Sequence, residues 1–233
     1  IERDKKTKNI YNNSMFSDDY YDIPQNASLT IKNYDEIDAV VASQKIIKHF
    51  MNSTNLSDKG RTKHWDKFYK DLNISEESPF SIFVNSKLGI NQSILEIGCG
   101  NGRDSQFFAK NNHKVVGIDR SSEAIKNCLT NFSHLDIEFL TGTIDDILAI
   151  EKRTFNAIYS RFVIHAMPLE EEIQLLDKSY ELLADNGMLF IECRSVNDKM
   201  FMAGEVLSST ERIHGHYRRF IVLDDFQERL EVA

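Results

Sequence analysis

The stretch Ile94-Leu95-Glu96-Ile97-Gly98-Cys99-Gly100-Asn101-Gly102-Arg103-Asp104-Ser105 constrains this chain more than any other. An apolar run of strand length meets three glycines at alternate positions and then residues that open a helix. Glycine has no Cβ and tolerates positive φ, so the backbone can turn sharply there and pass close to a ligand. The N–H groups that start the following helix then face that ligand.

The spacing narrows the ligand. A dinucleotide fingerprint would place its third glycine at position 103, where this chain has Arg103. The third glycine is instead Gly102, and the acidic Glu96 stands two positions before Gly98. A second apolar run, His113-Lys114-Val115-Val116-Gly117-Ile118, ends at Asp119, placed to accept hydrogen bonds from ribose hydroxyls. Glu96-x-Gly98-x-Gly100-x-Gly102 followed by Asp119 resembles the class I S-adenosylmethionine-dependent methyltransferases, over roughly residues 61 to 230. The resemblance implies a Rossmann-like α/β fold, a doubly wound, mostly parallel sheet with helices on both faces. It also implies S-adenosyl-L-methionine as cofactor and S-adenosyl-L-homocysteine as product.

Carried onto this chain, the resemblance assigns Glu96, Gly98, Cys99, Gly100, Gly102, Asp104, Asp119 and Arg120 to cofactor binding. In the turn Thr141-Gly142-Thr143-Ile144-Asp145-Asp146 it sets the Thr143 and Ile144 backbone at the adenine edge, with Asp145 as partner for the adenine amino group. The other reading of that turn is that Asp145 and Asp146 cap a helix start. Ser160, at the end of the fourth strand, and Trp65, on a helix before the first, complete the set. Trp65 and Tyr69 either cover the cofactor through stacking and cation–π contacts or are ordinary core.

Strands are expected at Ser93–Ile97, Lys114–Ile118, Ile137–Leu140, Ala157–Ser160 and Met188–Glu192, with helices between them. The helix Leu169–Leu183 is strongly periodic, and Asp185-Asn186-Gly187 supplies its stop. Helices carrying Trp65, Phe68, Tyr69 and Leu72, and Phe80, Phe83, Val84 and Leu88, precede the first strand. Residues 1–60 read as an extension: a polar arm to about residue 33, then an amphipathic helix at Asp35–Met51. Residues 61–233 read as the methyltransferase domain. Family members have seven strands, the last two antiparallel. Only five are visible here, so the domain is expected to lack its final pair or to be completed in another way.

The 36 acidic and 28 basic residues of this 233-residue chain give a formal charge of −8, which argues against a nucleic-acid partner. Cys99, Cys128 and Cys193 are widely separated and form no paired framework, which suits a reducing cytoplasm, and no metal site is expected. No run reaches the apolar length of a membrane span. The chain does not begin with Met, and fusion to an upstream or downstream domain is expected to be open.

The segment Tyr159-Ser160-Arg161-Phe162-Val163-Ile164-His165-Ala166 falls where the family brackets the reactive methyl. It lacks the Asn/Asp-Pro-Pro-Tyr signature used for exocyclic and amide nitrogens. His165 is the candidate general base, since imidazole titrates near neutral pH, its alternative being a structural histidine. Arg161 and Arg194 stand at the carboxyl ends of strands, where α/β sheets bind ligands, and arginine forks suit carboxylate or phosphate. With Arg218 and Arg219 they form a candidate pocket for an anionic acceptor; the alternative is a solvated basic face and local ion pairs. The segments Arg161-Phe162-x-x-His165, Glu192-x-Arg194-Ser195 and His216-Tyr217-Arg218-Arg219-Phe220 resemble a bacterial subgroup associated with capsule and O-antigen synthesis. That implies an acceptor oxygen on a sugar or phosphate-like group of a glycan precursor. A small-metabolite N- or O-methyltransferase and a non-catalytic cofactor-binding regulatory domain are the competing readings.

Overall fold

The computed structural model describes residues 58–70, 76–150 and 153–232. The expected arm and the helix at Asp35–Met51 lie outside the described residues, as does Leu72. Two helices, α1 (Asp58–Tyr69) and α2 (Pro79–Lys87), precede a strand–helix alternation. It runs β1 (Ser93–Ile97), α3 (Arg103–Lys110), β2 (Lys114–Asp119), α4 (Ser122–Asn131), β3 (Ile137–Thr141), α5 (Ile144–Ile150), β4 (Phe155–Arg161), α6 (Leu169–Leu182) and β5 (Leu183–Glu192). The five strands form one parallel sheet in the order β3-β2-β1-β4-β5. The chain order reverses between β1 and β4, and a crevice opens there outside the carboxyl ends of the strands.

The apolar runs are continuous because both faces of the sheet are covered. Alternate residues point to opposite faces, so Leu95 and Ile97 join Ile158, Leu175, Leu176 and Phe226 on one side, while Ile94 joins Val84, Phe108 and Tyr159 on the other. The register aligns Ile97 with both Ile118 and Ser160. Gly98, Asp119 and Arg161 therefore emerge at one edge of the sheet.

Two expectations are corrected. Helix α6 ends at Leu182, and the left-handed residue beyond it is Asn186, with φ 60°, rather than Gly187. β5 then begins early, pairing Leu183 with Phe155 before a register shift brings Met188 beside Ala157. The second correction is the polar region after β5, which carries three short antiparallel strands, β6 (Glu205–Val206), β7 (Glu211–His214) and β8 (His216–Arg219), and then helix α7 (Leu223–Val232). The exit of β8 returns to the edge of the main sheet: Ile221 forms a parallel bridge with Ser195, and its N–H donates to Arg194 O at 2.9 Å. This bridge lies just beyond the end of β5.

Candidate functional site

The turn after β1 is held against β2 by its own backbone, since the N–H groups of Gly98 and Cys99 both donate to Ile118 O, at 2.7 and 3.1 Å. Gly98, Gly100 and Gly102 have φ of 71°, 54° and 74°. At Gly98 a Cβ would enter Val163 Cγ2, and at Gly100 it would lie 2.5 Å from the Tyr69 hydroxyl. These positions need glycine both for the turn and for the close approach.

Asp119 is fixed by two backbone donors, Gly100 N to Oδ2 at 2.9 Å and Ser121 N to Oδ1 at 2.8 Å. Burial raises its pKa and the two N–H groups oppose that rise. Each carboxylate oxygen keeps a lone pair for a further donor, which is what a ribose diol requires. The Cys99 side chain points away from the loop into a cluster with Ile125, Cys128 and Phe132, and burial pushes its thiol well up.

Behind the loop lie two buried carboxylates. Glu96 accepts from Ser105 Oγ, and burial, then the neighbouring Asp104, hold its pKa well above the usual range. Asp104 accepts from Ser78 N and Ser78 Oγ at 2.8 Å, Ser81 Oγ at 3.1 Å and Tyr159 Oη at 2.8 Å. Its place in the first turn of α3 directs it to the start of α2, so the carboxylate joins α2, α3 and β4 instead of facing a cofactor. Arg120 reaches back to Glu171, which also takes Arg61, and this joins α1 to α6. At the β3–α5 turn the capping reading describes what is seen. Thr143 N donates to Asp146 Oδ2 at 2.7 Å, while Asp145 is exposed and paired with Lys178 of α6. Asp145 thus turns to Lys178 of α6, and the Ile144 side chain is in the core.

Helix α1 closes the loop from above. Asp66 accepts from Ser121 Oγ at 2.7 Å, and Asn127 Nδ2 donates to Tyr69 O at 2.9 Å. The Tyr69 hydroxyl thereby stands against Gly100; burial, then Asp119, raise its pKa. Trp65 packs with Phe68, Tyr69, His64 and His216, with its ring centroid 5.0 Å from that of His216.

On the other side of the crevice, Ser160 is 1% exposed and its Oγ has no hydrogen-bond partner among the described residues. Phe162 follows β4 in the left-handed region with φ 59°, anchored by its N–H on Glu192 O at 2.7 Å. The guanidiniums of Arg161 and Arg194 lie 4.2 and 5.0 Å from its ring centroid. Arg161 pairs with Glu192, and Arg194 donates to Asp198 Oδ2 at 2.7 Å. His165, in the 3-10 turn Ile164–Ala166, meets Phe162 edge-on at 5.6 Å, is 4% exposed and has Nδ1 without a partner among the described residues. Burial, then Arg194, His216, Arg218 and Arg219, push its pKa well below 6.5, so the ring is neutral.

Arg218 and Arg219 do not form a pair in one pocket, because neighbours on a strand point to opposite faces. Arg219 turns to Glu172, which also takes Arg229 Nε at 2.6 Å. Arg218 lies on the His64, His165 and His216 side and lowers the pKa of all three. His64 and His216, whose rings are 4.8 Å apart, were absent from the expected site. Nothing in the sequence joins two residues 152 positions apart until the β7–β8 hairpin brings them together.

The site fits the cofactor that the sequence resemblance implies, on three observations: the side-chain-free glycine loop, the doubly held Asp119 and the unpartnered Ser160 Oγ.

Residues 94–187 match the model of a family described as a methyltransferase domain. The carboxy-S-adenosyl-L-methionine synthase of Haemophilus ducreyi is 28% identical over 105 residues, 42% of this chain and 43% of that protein. The mitochondrial ubiquinone biosynthesis O-methyltransferase of Bos taurus is 31% identical over 128 residues, 52% of this chain and 33% of that protein. The match thus spans less than half the length of either relative. The fold is shared with the Burkholderia thailandensis 1,6-didemethyltoxoflavin-N1-methyltransferase, solved with 1,6-didemethyltoxoflavin and S-adenosylhomocysteine, at a TM-score of 0.51 and 17% identity, over 90% of this chain and 81% of that one. The matched stretch, from β1 into β5, is thus similar to a methyltransferase domain, and the chain shares the Rossmann-like fold of the solved methyltransferase.

Proposed function

We propose that the chain transfers a methyl group from S-adenosylmethionine to a small-molecule acceptor seated between Ser160, His165 and β8. The observation that carries this is Asp119, held at the sheet edge by Gly100 N and Ser121 N beside the glycine loop. Bound there, the cofactor supplies an electrophilic methyl group on a sulfonium. Asp119 accepts the ribose hydroxyls, the Gly98–Gly102 backbone passes along the chain of the cofactor, and Ser160 Oγ offers an unused hydrogen-bonding group to whatever enters. Helix α1 and the aromatic group of Trp65 and Tyr69 exclude water from the approach.

His165 holds the acceptor through Nδ1. Its lowered pKa makes it a weak base by itself, since burial, then Arg194 and Arg218, oppose a positive imidazolium. It receives a proton readily only where an acceptor brings negative charge. The named relatives act on small molecules, and that supports a small-molecule acceptor. An oxygen of a surface-glycan precursor is the narrower alternative, and it rests on the sequence resemblance alone. The three free thiols, Cys99, Cys128 and Cys193, suit a reducing compartment, and no described helix is long and apolar enough to cross a membrane. We assign residues 61–233 to the catalytic domain and leave 1–60 as an extension.

The test is calorimetry of S-adenosylhomocysteine binding, followed by transfer of labelled methyl from S-adenosylmethionine to fractionated small-molecule extracts. Binding with labelling supports the proposal. Binding without labelling of any fraction favours a regulatory domain, and no binding rejects the cofactor assignment.

A further inference from the structure

Among the described residues, four that are not glycine hold a left-handed backbone. Asn91, Asn112 and Asn186 are asparagines, which reach that conformation at little cost because a short polar side chain can bond to its own backbone. The fourth is Phe162, with φ 59°, at the step from β4 into the turn that carries His165. A bulky residue held there is strained, and such strain persists only where the surroundings over-determine it.

The surroundings of Phe162 do so. Its N–H donates to Glu192 O at 2.7 Å, and the guanidiniums of Arg161 and Arg194 lie 4.2 and 5.0 Å from its ring centroid. Each guanidinium is itself tied down, Arg161 by Glu192 and Arg194 by Asp198. The next residue, Val163, stands against Gly98 of the glycine loop, and the Phe162 ring meets His165 edge-on, with centroids 5.6 Å apart and planes at 78°. We propose that Phe162 is a positioning residue for methyl transfer: its ring, fixed by the left-handed turn and by Arg161 and Arg194, holds the His165 imidazole in the plane at which Nδ1 meets the acceptor.

An imidazole that works on a ligand is ordinarily oriented by a hydrogen bond from one nitrogen to a carbonyl or carboxylate. Nδ1 of the buried His165 has no such partner among the described residues. A T-shaped ring contact fixes the plane instead and leaves the nitrogen unspent for the ligand. The backbone alone does not call for phenylalanine, since glycine or asparagine would make the same turn with less strain and no ring.

This deepens the methyltransferase reading and rests on it, while the ring contact itself is tested without turnover. Phe162→Asn keeps the turn and removes the ring; Phe162→Tyr keeps both. Imidazole signals of His165 are followed by proton–carbon NMR, assigned by their loss in His165→Phe. They should move in Phe162→Asn and stay near their wild-type positions in Phe162→Tyr. In methyl transfer to the labelled fraction, kcat should fall at least about tenfold in Phe162→Asn, with S-adenosylhomocysteine affinity within about twofold of wild type, and Phe162→Tyr should restore kcat. Unmoved His165 signals in Phe162→Asn overturn the proposal. So does an unchanged kcat in a variant whose signals move, or a Phe162→Tyr that restores neither. If Phe162→Asn fails to fold by circular dichroism, nuclear Overhauser contacts between the Phe162 and His165 rings in the wild type decide: their presence, with kcat retained in Phe162→Tyr, supports the proposal, and their absence overturns it. Wild-type protein that binds no S-adenosylhomocysteine overturns the methyltransferase reading, and with it the catalytic part of the proposal, whatever the NMR shows of the ring contact.

Discussion

Asp119 and His165 are buried at one edge of the same sheet and do opposite kinds of work. Asp119 is a carboxylate made rigid by two N–H groups, so its loss removes a ready-placed charged acceptor. Asp119→Ala should weaken S-adenosylhomocysteine binding by about 1.5–3 kcal/mol in calorimetry, provided the variant remains folded. His165 is a neutral imidazole without a partner at Nδ1 among the described residues. With a hydroxyl acceptor, His165→Ala should lower kcat by roughly two to four orders of magnitude and leave cofactor affinity unchanged; with an acceptor oxygen already charged, the loss should be small. His165 also affects stability. Its folded pKa lies well below 6.5, so below about that pH the unfolded chain binds a proton that the folded chain refuses. The contribution is present above pH 6.5 and is lost as pH falls. Urea titrations at pH 5, 6 and 7 should show a flatter pH dependence for His165→Phe than for wild type, by up to about 1.4 kcal/mol per pH unit.

Among the elements, α1 and the β7–β8 hairpin close the crevice, and neither belongs to the central sheet. α1 is fixed by polar contacts at both ends, Arg61 on Glu171 and Asp66 on Ser121 at the start of α4. Asp66→Ala should cost about 0.5–2 kcal/mol in urea unfolding and leave the Trp65 cluster less ordered, which its fluorescence would report. The glycine loop tolerates less. Gly98→Ala places a Cβ into Val163 at a φ of 71° and should reduce stability by roughly 1–3 kcal/mol together with cofactor binding, because Val163 is two residues from His165. The five strands of the sheet were legible to within a few residues because buried parallel strands are almost uniformly apolar. β6, β7 and β8 were not. They are two to four residues long, and β7 reads Glu-Arg-Ile-His, too short and polar for a period to show.

At the scale of the molecule, Glu172 connects α6 to β8 and α7, fully buried between Arg219 and Arg229. Glu172→Ala leaves buried guanidinium charge uncompensated and should destabilise the fold by about 3–5 kcal/mol, measured by urea denaturation at neutral pH. Glu172 follows two other glutamates in the first turn of α6, where acidic residues ordinarily favour the helix dipole. Its pairing partners are 47 and 57 residues further along, so its role is invisible in that turn.

The sequence by itself determined the strand–turn–helix alternation, the place of the glycine loop and the acidic end of β2, because each depends on residues adjacent in the chain. Local backbone requirements leave local marks: positive φ selects glycine, and a buried strand selects apolar residues. Tertiary structure decided the direction of each polar side chain. Asp104 could face a cofactor or Ser78, Asp145 an adenine or Lys178, and Arg219 an acceptor or Glu172. A long or charged side chain is satisfied by whichever opposite group lies within a few ångströms, and that partner is set by packing between elements far apart in the chain. The meeting of His64 and His216 arises in the same way, from a helix and a hairpin that only the folded chain brings together.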